Sequence, residues 1–146
     1  MNLKYYPDPC LRLKSETVNL LDEVEHILHL ETKMKEVLQK EKGLGLSAIQ
    51  LGVPKRMFVM KNIMGNIITI INPIILGQQN KEVVKGEGCL SIPGRQFRTK
   101  RYNSIQVKYT NLLGQEVKEN FIGLESIIFQ HEFDHLNGTL VLDRRI

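Results

Sequence analysis

The stretch Gln130-His131-Glu132-Phe133-Asp134-His135-Leu136 contains the pattern H-E-x-x-H. On an α-helix, residues four apart lie on one face, with Cβ atoms about 5–6 Å apart. His131 and His135 can therefore aim imidazole nitrogens at one metal ion. Glu132 stands beside the first histidine, where a carboxylate exchanges protons with a water rather than binding the ion. A divalent ion with one open position lowers the pKa of water there to about 7. The chemistry this predicts is metal-assisted hydrolysis. The competing reading is a helix that carries two exposed histidines.

Hydrolytic metal sites usually supply three protein ligands and leave one position open. After His135 the chain runs only to Ile146, and Asp143 is the sole carboxylate in that stretch. The third ligand is therefore expected upstream. Glu87-Gly88-Cys89-Leu90-Ser91-Ile92-Pro93-Gly94 offers Cys89, a thiolate-capable side chain flanked by a glycine that permits close backbone approach.

The elements that position these residues read as follows. Residues 1–19 form an extended, turn-rich arm, because Pro7 and Pro9 disfavour helix. Cys10 in that arm is expected to be a small packed side chain. From Leu20 to Lys42, Val24, Ile27, Leu28, Met34, Val37 and Leu38 recur at helical spacing. Asn19 or Asp22 would cap this helix, and Gly43 would end it. His26 and His29 lie on it without a third ligand nearby and are expected to be solvated or packed. Strands are expected over Met57–Met60 and Ile67–Ile71, with Gly65-Asn66 turning between them. Pro73 should break the run, leaving Ile74–Leu76 as an edge strand and Glu82–Lys85 as a further candidate. Ile105, Val107 and Tyr109 alternate with polar residues, and Val117 and Phe121 do so less cleanly across a turn at Leu113-Gly114. A final helix spans Leu124–Leu136 and stops at Gly138, followed by a short strand or tail over Leu140–Leu142. The expectation is one α+β domain over residues 1–146: strands around a central C-terminal helix that carries H-E-x-x-H, plus an N-terminal helix.

Composition narrows the function classes. The chain has 146 residues and a net charge of +4, a mild basic excess. Arg95, Arg98, Lys100 and Arg101 fall close together. They read as a solvated strand or loop face, or as an attraction for anions such as RNA or a peptide carboxylate. Phe97 alone lies among them, which falls short of the pattern of an RNA-stacking module. Two cysteines are too few for a disulfide-stapled scaffold. No window approaches the roughly 18 apolar residues of a membrane span, and the N-terminus has no apolar signal core. A reducing, cytoplasmic setting is expected, with neither membrane nor DNA as partner. Gly43-Leu44-Gly45 lacks the third glycine of a dinucleotide fingerprint, and no Gly-Lys-Ser/Thr follows, so a nucleotide site is not expected.

Three stretches taken together, Gly43-Leu-Gly-Leu-Ser-Ala-Ile-Gln50, Glu87-Gly-Cys-Leu-Ser91 and Gln130-His-Glu-Phe-Asp-His135, resemble the ordered motifs G-x-G-x-A-A-x-Q, E-G-C-L-S and Q-H-E-x-D-H of peptide deformylases. The opening Tyr6-Pro7-Asp8-Pro9 arm also fits, so the resemblance covers essentially the whole chain. It implies removal of the N-formyl group from the formyl-methionine of new polypeptides, with release of formate. It implies that Cys89, His131 and His135 bind the metal and that Glu132 moves a proton from the attacking water to the leaving amine. Gln50 and the Leu90 backbone N–H would donate to the formyl oxygen. Leu44 and Gly45 would pair with the substrate backbone, Ile128 would line the methionine pocket, and Gly88 would leave room there. A Cys/His/His set suits Zn²⁺, Fe²⁺, Co²⁺ or Ni²⁺; the resemblance favours Fe²⁺.

Two departures stand out. Ser47 occupies a position where the family pattern has alanine, and its hydroxyl is expected to find a local backbone carbonyl. The chain also ends soon after Gly138, without the C-terminal helix to which ribosome docking is attributed in many bacterial members. Transient ribosome contact by that route is therefore in doubt, and a phage, organellar or minor bacterial form is consistent with the length. Asp134 is expected to accept from a ligand histidine, and Glu87 to pair with Arg101 or an exposed neighbour. Two rival functions remain. One is a general metallopeptidase with a downstream third ligand. The other is a non-enzymatic module with a closed four-ligand site recruiting Cys10.

Overall fold

The computed structural model describes all 146 residues. Five antiparallel strands follow one another across a single sheet: β1 (Gly45–Ser47), β2 (Met57–Lys61), β3 (Ile67–Cys89), β4 (Ile92–Thr110) and β5 (Glu116–Ile122). Two helices complete the fold, α1 (Leu20–Glu41) and α2 (Gly123–Leu136). The expected single α+β domain is what forms.

Side chains of β2 alternate between two cores, as strand geometry dictates. Met57 and Val59 join Ile27, Leu30, Met34 and Leu38 of α1, whereas Phe58 and Met60 join Phe129 and Leu136 of α2. The rings of Phe58 and Phe129 meet edge to face at 5.1 Å. Helix α2 is buried on nearly every side, so its polar residues Gln130, His131, Glu132, Asp134 and His135 are all buried. Gln130 clamps the helix to β4, with Nε2 donating to the Tyr102 carbonyl at 2.6 Å and Oε1 accepting from Tyr102 N–H at 3.0 Å.

Several local expectations need correction. The buried stripe of α1 runs through Ile27, Leu30, Glu31, Met34 and Leu38, while Val24 and Leu28 are exposed. Asn19 caps the helix, but Lys42 rather than Gly43 takes the left-handed turn at its end (φ 55°). Gly43 instead follows that turn, where a Cβ would come 2.8 Å from the Leu90 side chain, which would have to shift. Pro73 does not end a strand. Pairing resumes past it after a register shift between Ile71 and Ile74, and β3 continues to Cys89. Its partner β4 begins at Ile92, so residues 92–104, where only the basic cluster carries a strand expectation beside a loop one, form half of a long ribbon. Arg95, Arg98 and Lys100 are exposed on it as expected, but Arg101 is only 4% exposed. Residues after Gly138 form a short 3-10 turn, Val141–Arg144, in place of the expected strand or tail. No helix is long and apolar enough to cross a membrane.

Candidate metal centre and active site

The three expected metal ligands come from two elements. His131 and His135 stand one turn apart on α2, and Cys89 ends β3 where the chain turns through Leu90-Ser91 into β4. Their ligand atoms all lie within 4.8 Å of one another. Cys89 Sγ is 3.5 Å from His135 Nε2. That is the separation a tetrahedral ion subtends with bonds of about 2.0 Å to nitrogen and about 2.3 Å to sulfur. The residues present fit a four-coordinate divalent metal with one position left open. Asp143, the downstream alternative, instead pairs with Arg12. Cys10 is outside the cluster, its Sγ 3.9 Å from the Ile49 carbonyl. Neither rival ligand set is assembled.

A buried polar chain orients this cluster. His131 Nδ1 donates to Glu87 Oε2 at 2.6 Å, which leaves Nε2 for the metal. Arg101 donates to both Glu87 oxygens at 2.9 and 2.6 Å and to Asp134 at 2.6 Å. Thr99 Oγ1 adds a further bond to Glu87 at 2.8 Å. Burial alone would raise the Glu87 pKa, but the bonds from His131 and Arg101 hold it down to about 2. The same burial would lower His131, yet bonds to Cys89 and Glu87 outweigh it and raise that imidazole. His135 is shifted the opposite way, well below its ordinary value, by burial and then by the charge of His131 and Arg101. The histidine acceptor is thus Glu87. Asp134, expected in that role, bridges Arg101 and Arg144 instead. Strand period two places Glu87 and Cys89 toward the same side, and this spacing is the sequence signal that links them.

Glu132 is buried beside the cluster, and burial raises its carboxyl to about 6 although His131 and a hydrogen bond from Ser47 pull it down. Gly45 lies directly against it: a Cβ at position 45 would sit 2.7 Å from Glu132 Oε2. Gln50 is held in a short 3-10 turn, Ala48–Leu51, where its Oε1 accepts from Ser47 N–H at 2.9 Å. Its Nε2 donates to Ser91 Oγ at 3.0 Å and lies 3.7 Å from Cys89 Sγ, so the amide faces the metal cluster. The hydroxyl of Ser47 does not find a local carbonyl; its acceptor oxygens belong to Glu132, 85 positions away. Neither Ser91 nor Ser47 carries a sequence signal for these contacts, which exist only once the turns pack together.

The site opens into a cleft of about 1050 Å³. Leu44, Gly45, Gln50, Gly88, Cys89, Leu90, Ile128, His131 and Glu132 all border it. Edge strand β1 offers its unpaired side, since only β2 pairs with it. Ile128 is a buried wall, and Leu44 is half exposed at the rim. A Cβ on Gly88 would meet only the Arg95 carbonyl, at an ordinary 3.8 Å, so crowding does not explain that glycine.

The arrangement can hold an electrophile beside a metal, a buried carboxylate and a neutral amide donor. Comparisons with known proteins agree. The family model described as polypeptide deformylase matches residues 1–146. A peptide deformylase of Thermotoga maritima is 38% identical over 142 residues, spanning 97% of this chain and 85% of that protein. The crystal structure of peptide deformylase from Thermotoga maritima superposes with a TM-score of 0.93, covering 99% of this chain and 97% of that one. A probable peptide deformylase from synechococcus phage S-SSM7 has a TM-score of 0.91 at 33% identity, covering 99% of both chains. This chain belongs to the peptide deformylase family, metal-dependent hydrolases that remove the N-formyl group from nascent polypeptides.

Proposed function

We propose that Cys89, His131 and His135 hold one divalent ion and that Glu132, Gln50 and Leu90 carry out deformylation around it. The convergence of the three ligand atoms next to a buried carboxylate is the observation that carries the reading. The donor set of one thiolate and two imidazoles suits Zn²⁺, Fe²⁺, Co²⁺ or Ni²⁺ alike, and the likeness to peptide deformylases favours Fe²⁺ among them. When bound, the ion supplies Lewis acidity toward the formyl carbonyl and a water acidic enough to react near neutral pH.

The remaining work falls to the chain's own groups. An extended peptide lies along the free edge of β1 and exchanges backbone hydrogen bonds with Leu44 and Gly45. Its first side chain enters the space bounded by Ile128 and Gly88. Gln50 Nε2 and the Leu90 N–H donate to the formyl oxygen as negative charge develops there, and as neutral groups fixed in advance they reorganise little. Glu132 takes the proton of the attacking water and passes it to the leaving amine. Its shift to about 6 places the carboxyl near the range a two-way proton carrier needs.

Formate release from formyl-Met-Ala-Ser, with metal counted in each preparation, tests the reading. Wild type should release formate, and Glu132→Ala should retain metal while losing activity. Formate release by Glu132→Ala at the wild-type rate would remove Glu132 from the chemistry.

A further inference from the structure

Ser47 is fully buried at the inner end of β1. Its Oγ lies 2.9 Å from Glu132 Oε1 and 3.0 Å from the Glu132 main-chain oxygen. No other side chain hydrogen-bonds that carboxylate. The second carboxylate oxygen, Oε2, faces Gly45 at the cleft, where the missing Cβ gives it room. One oxygen is therefore tied to β1 and the other is free toward the substrate space.

We propose that Ser47 is a positioning residue for Glu132, its hydroxyl fixing Oε1 against β1 so that Oε2 is presented over Gly45 to the reacting atoms. The inference rests on Glu132 being the proton carrier. A glutamate side chain has a broad terminal torsion, and an untethered carboxylate turns freely about it. The hydroxyl donates to Oε1, and when Oε2 holds the proton Oε1 remains a carbonyl-type acceptor for the same bond. Contact is thereby kept through both halves of the proton transfer. The family motif usually has alanine at this position, so loss of the tether should be partial rather than complete.

The experiment compares wild type, Ser47→Ala, Ser47→Cys and Ser47→Thr for kcat, KM, metal content and melting temperature. Ser47→Ala and Ser47→Cys should lower kcat by about two- to tenfold, the size expected of one hydrogen bond, with KM and metal content unchanged. Ser47→Thr should restore kcat if its extra methyl is accommodated; if it does not fold, the Ala and Cys variants still decide. In Glu132→Asp, whose shorter carboxylate cannot reach Ser47, adding Ser47→Ala should cost nothing more. A crystal structure of Ser47→Ala should show the Glu132 carboxylate turned from its place over Gly45. Unchanged kcat with a lowered melting temperature would overturn the proposal, leaving Ser47 as a tie between β1 and α2. An equal loss in the Glu132→Asp background would overturn it too. Full activity in Glu132→Ala would instead sink the premise about the proton carrier, an outcome separable from either of these.

Discussion

Glu87 Oε2 receives His131 Nδ1 at 2.6 Å while Arg101 grips the same carboxylate through two nitrogens. A histidine of the proposed ligand set is thus fixed by an acidic group that is itself fixed. Glu87→Gln should keep the fold but weaken the hold on the imidazole, lowering metal affinity by about 10–100-fold. Metal retention against a competing chelator measures this, and retention equal to wild type would remove Glu87 from the support of the site.

Gly45 and Glu132 cannot both keep their places if position 45 gains a side chain, since the Cβ would fall 2.7 Å from Oε2. Gly45→Ala should therefore displace the carboxylate and lower kcat by about 10²-fold, the cost of a misplaced reacting group. Metal content should stay the same, because neither residue belongs to the proposed ligand set. Loss of metal together with activity would point to a wider collapse of the cleft.

Gln50 is oriented at both ends, by Ser47 N–H on its oxygen and by Ser91 Oγ on its nitrogen. Removing the amide in Gln50→Ala should lower kcat by about 10²–10³, as for other oxyanion donors. Ser91→Ala should give a smaller loss, since it loosens the donor without deleting it. An acetyl group adds a methyl close to Gln50 and Leu90, so acetyl-Met peptides should be turned over far more slowly than formyl-Met peptides. Comparable kcat/KM for the two would show that this corner is roomier than the reading requires.

The two thiols should differ in reactivity. Burial, then the hydrogen bond and charge of Asp8, push Cys10 up to about 11. At pH 8 little of it is thiolate, so iodoacetamide should label metal-free protein at Cys89 first. Peptide mapping decides the order. Cys10→Ser should leave metal content unchanged.

Arg12 and Asp143 tie the N-terminal arm to the last turn, and the arginine hydrogen bond lowers the Asp143 pKa below its ordinary 3.8. A lowered carboxyl adds stability above the unfolded pKa and loses it as pH falls through the folded one. Asp143→Asn should therefore cost stability at pH 7 and progressively less below about pH 4. Both side chains are partly exposed, so the cost at pH 7 should stay under about 1 kcal/mol. Chemical denaturation at the two pH values reads the difference, and equal losses at both would show that charge is not the cause.

Much of this site is legible in the sequence because its spacing is local. H-E-x-x-H fixes two imidazoles on one helix face, with a carboxylate one residue round from the first, wherever that helix lies. Cys89 follows from the shortage of ligands after His135. What stays hidden depends on packing between distant turns. Nothing in the sequence says that Ser47 meets Glu132 or that Ser91 meets Gln50. The ribbon of β3 and β4 was equally hard to foresee. Residues 78–83 are exposed and lack the alternation that marks a half-buried strand, and backbone pairing with β4 holds them extended. Pro73 looks like a terminus in sequence, yet a register shift absorbs it.

The double-sided burial of β2 also ties the parts of the site to one another. The glycine-serine-glutamine turn, the cysteine hairpin and the histidine helix lie far apart along the chain; Leu46 and Leu90 pack with the α1 core on one face of that strand, and Phe129 and Leu136 pack on the other. A shift of β2 would therefore disturb the turn, the hairpin and the helix together.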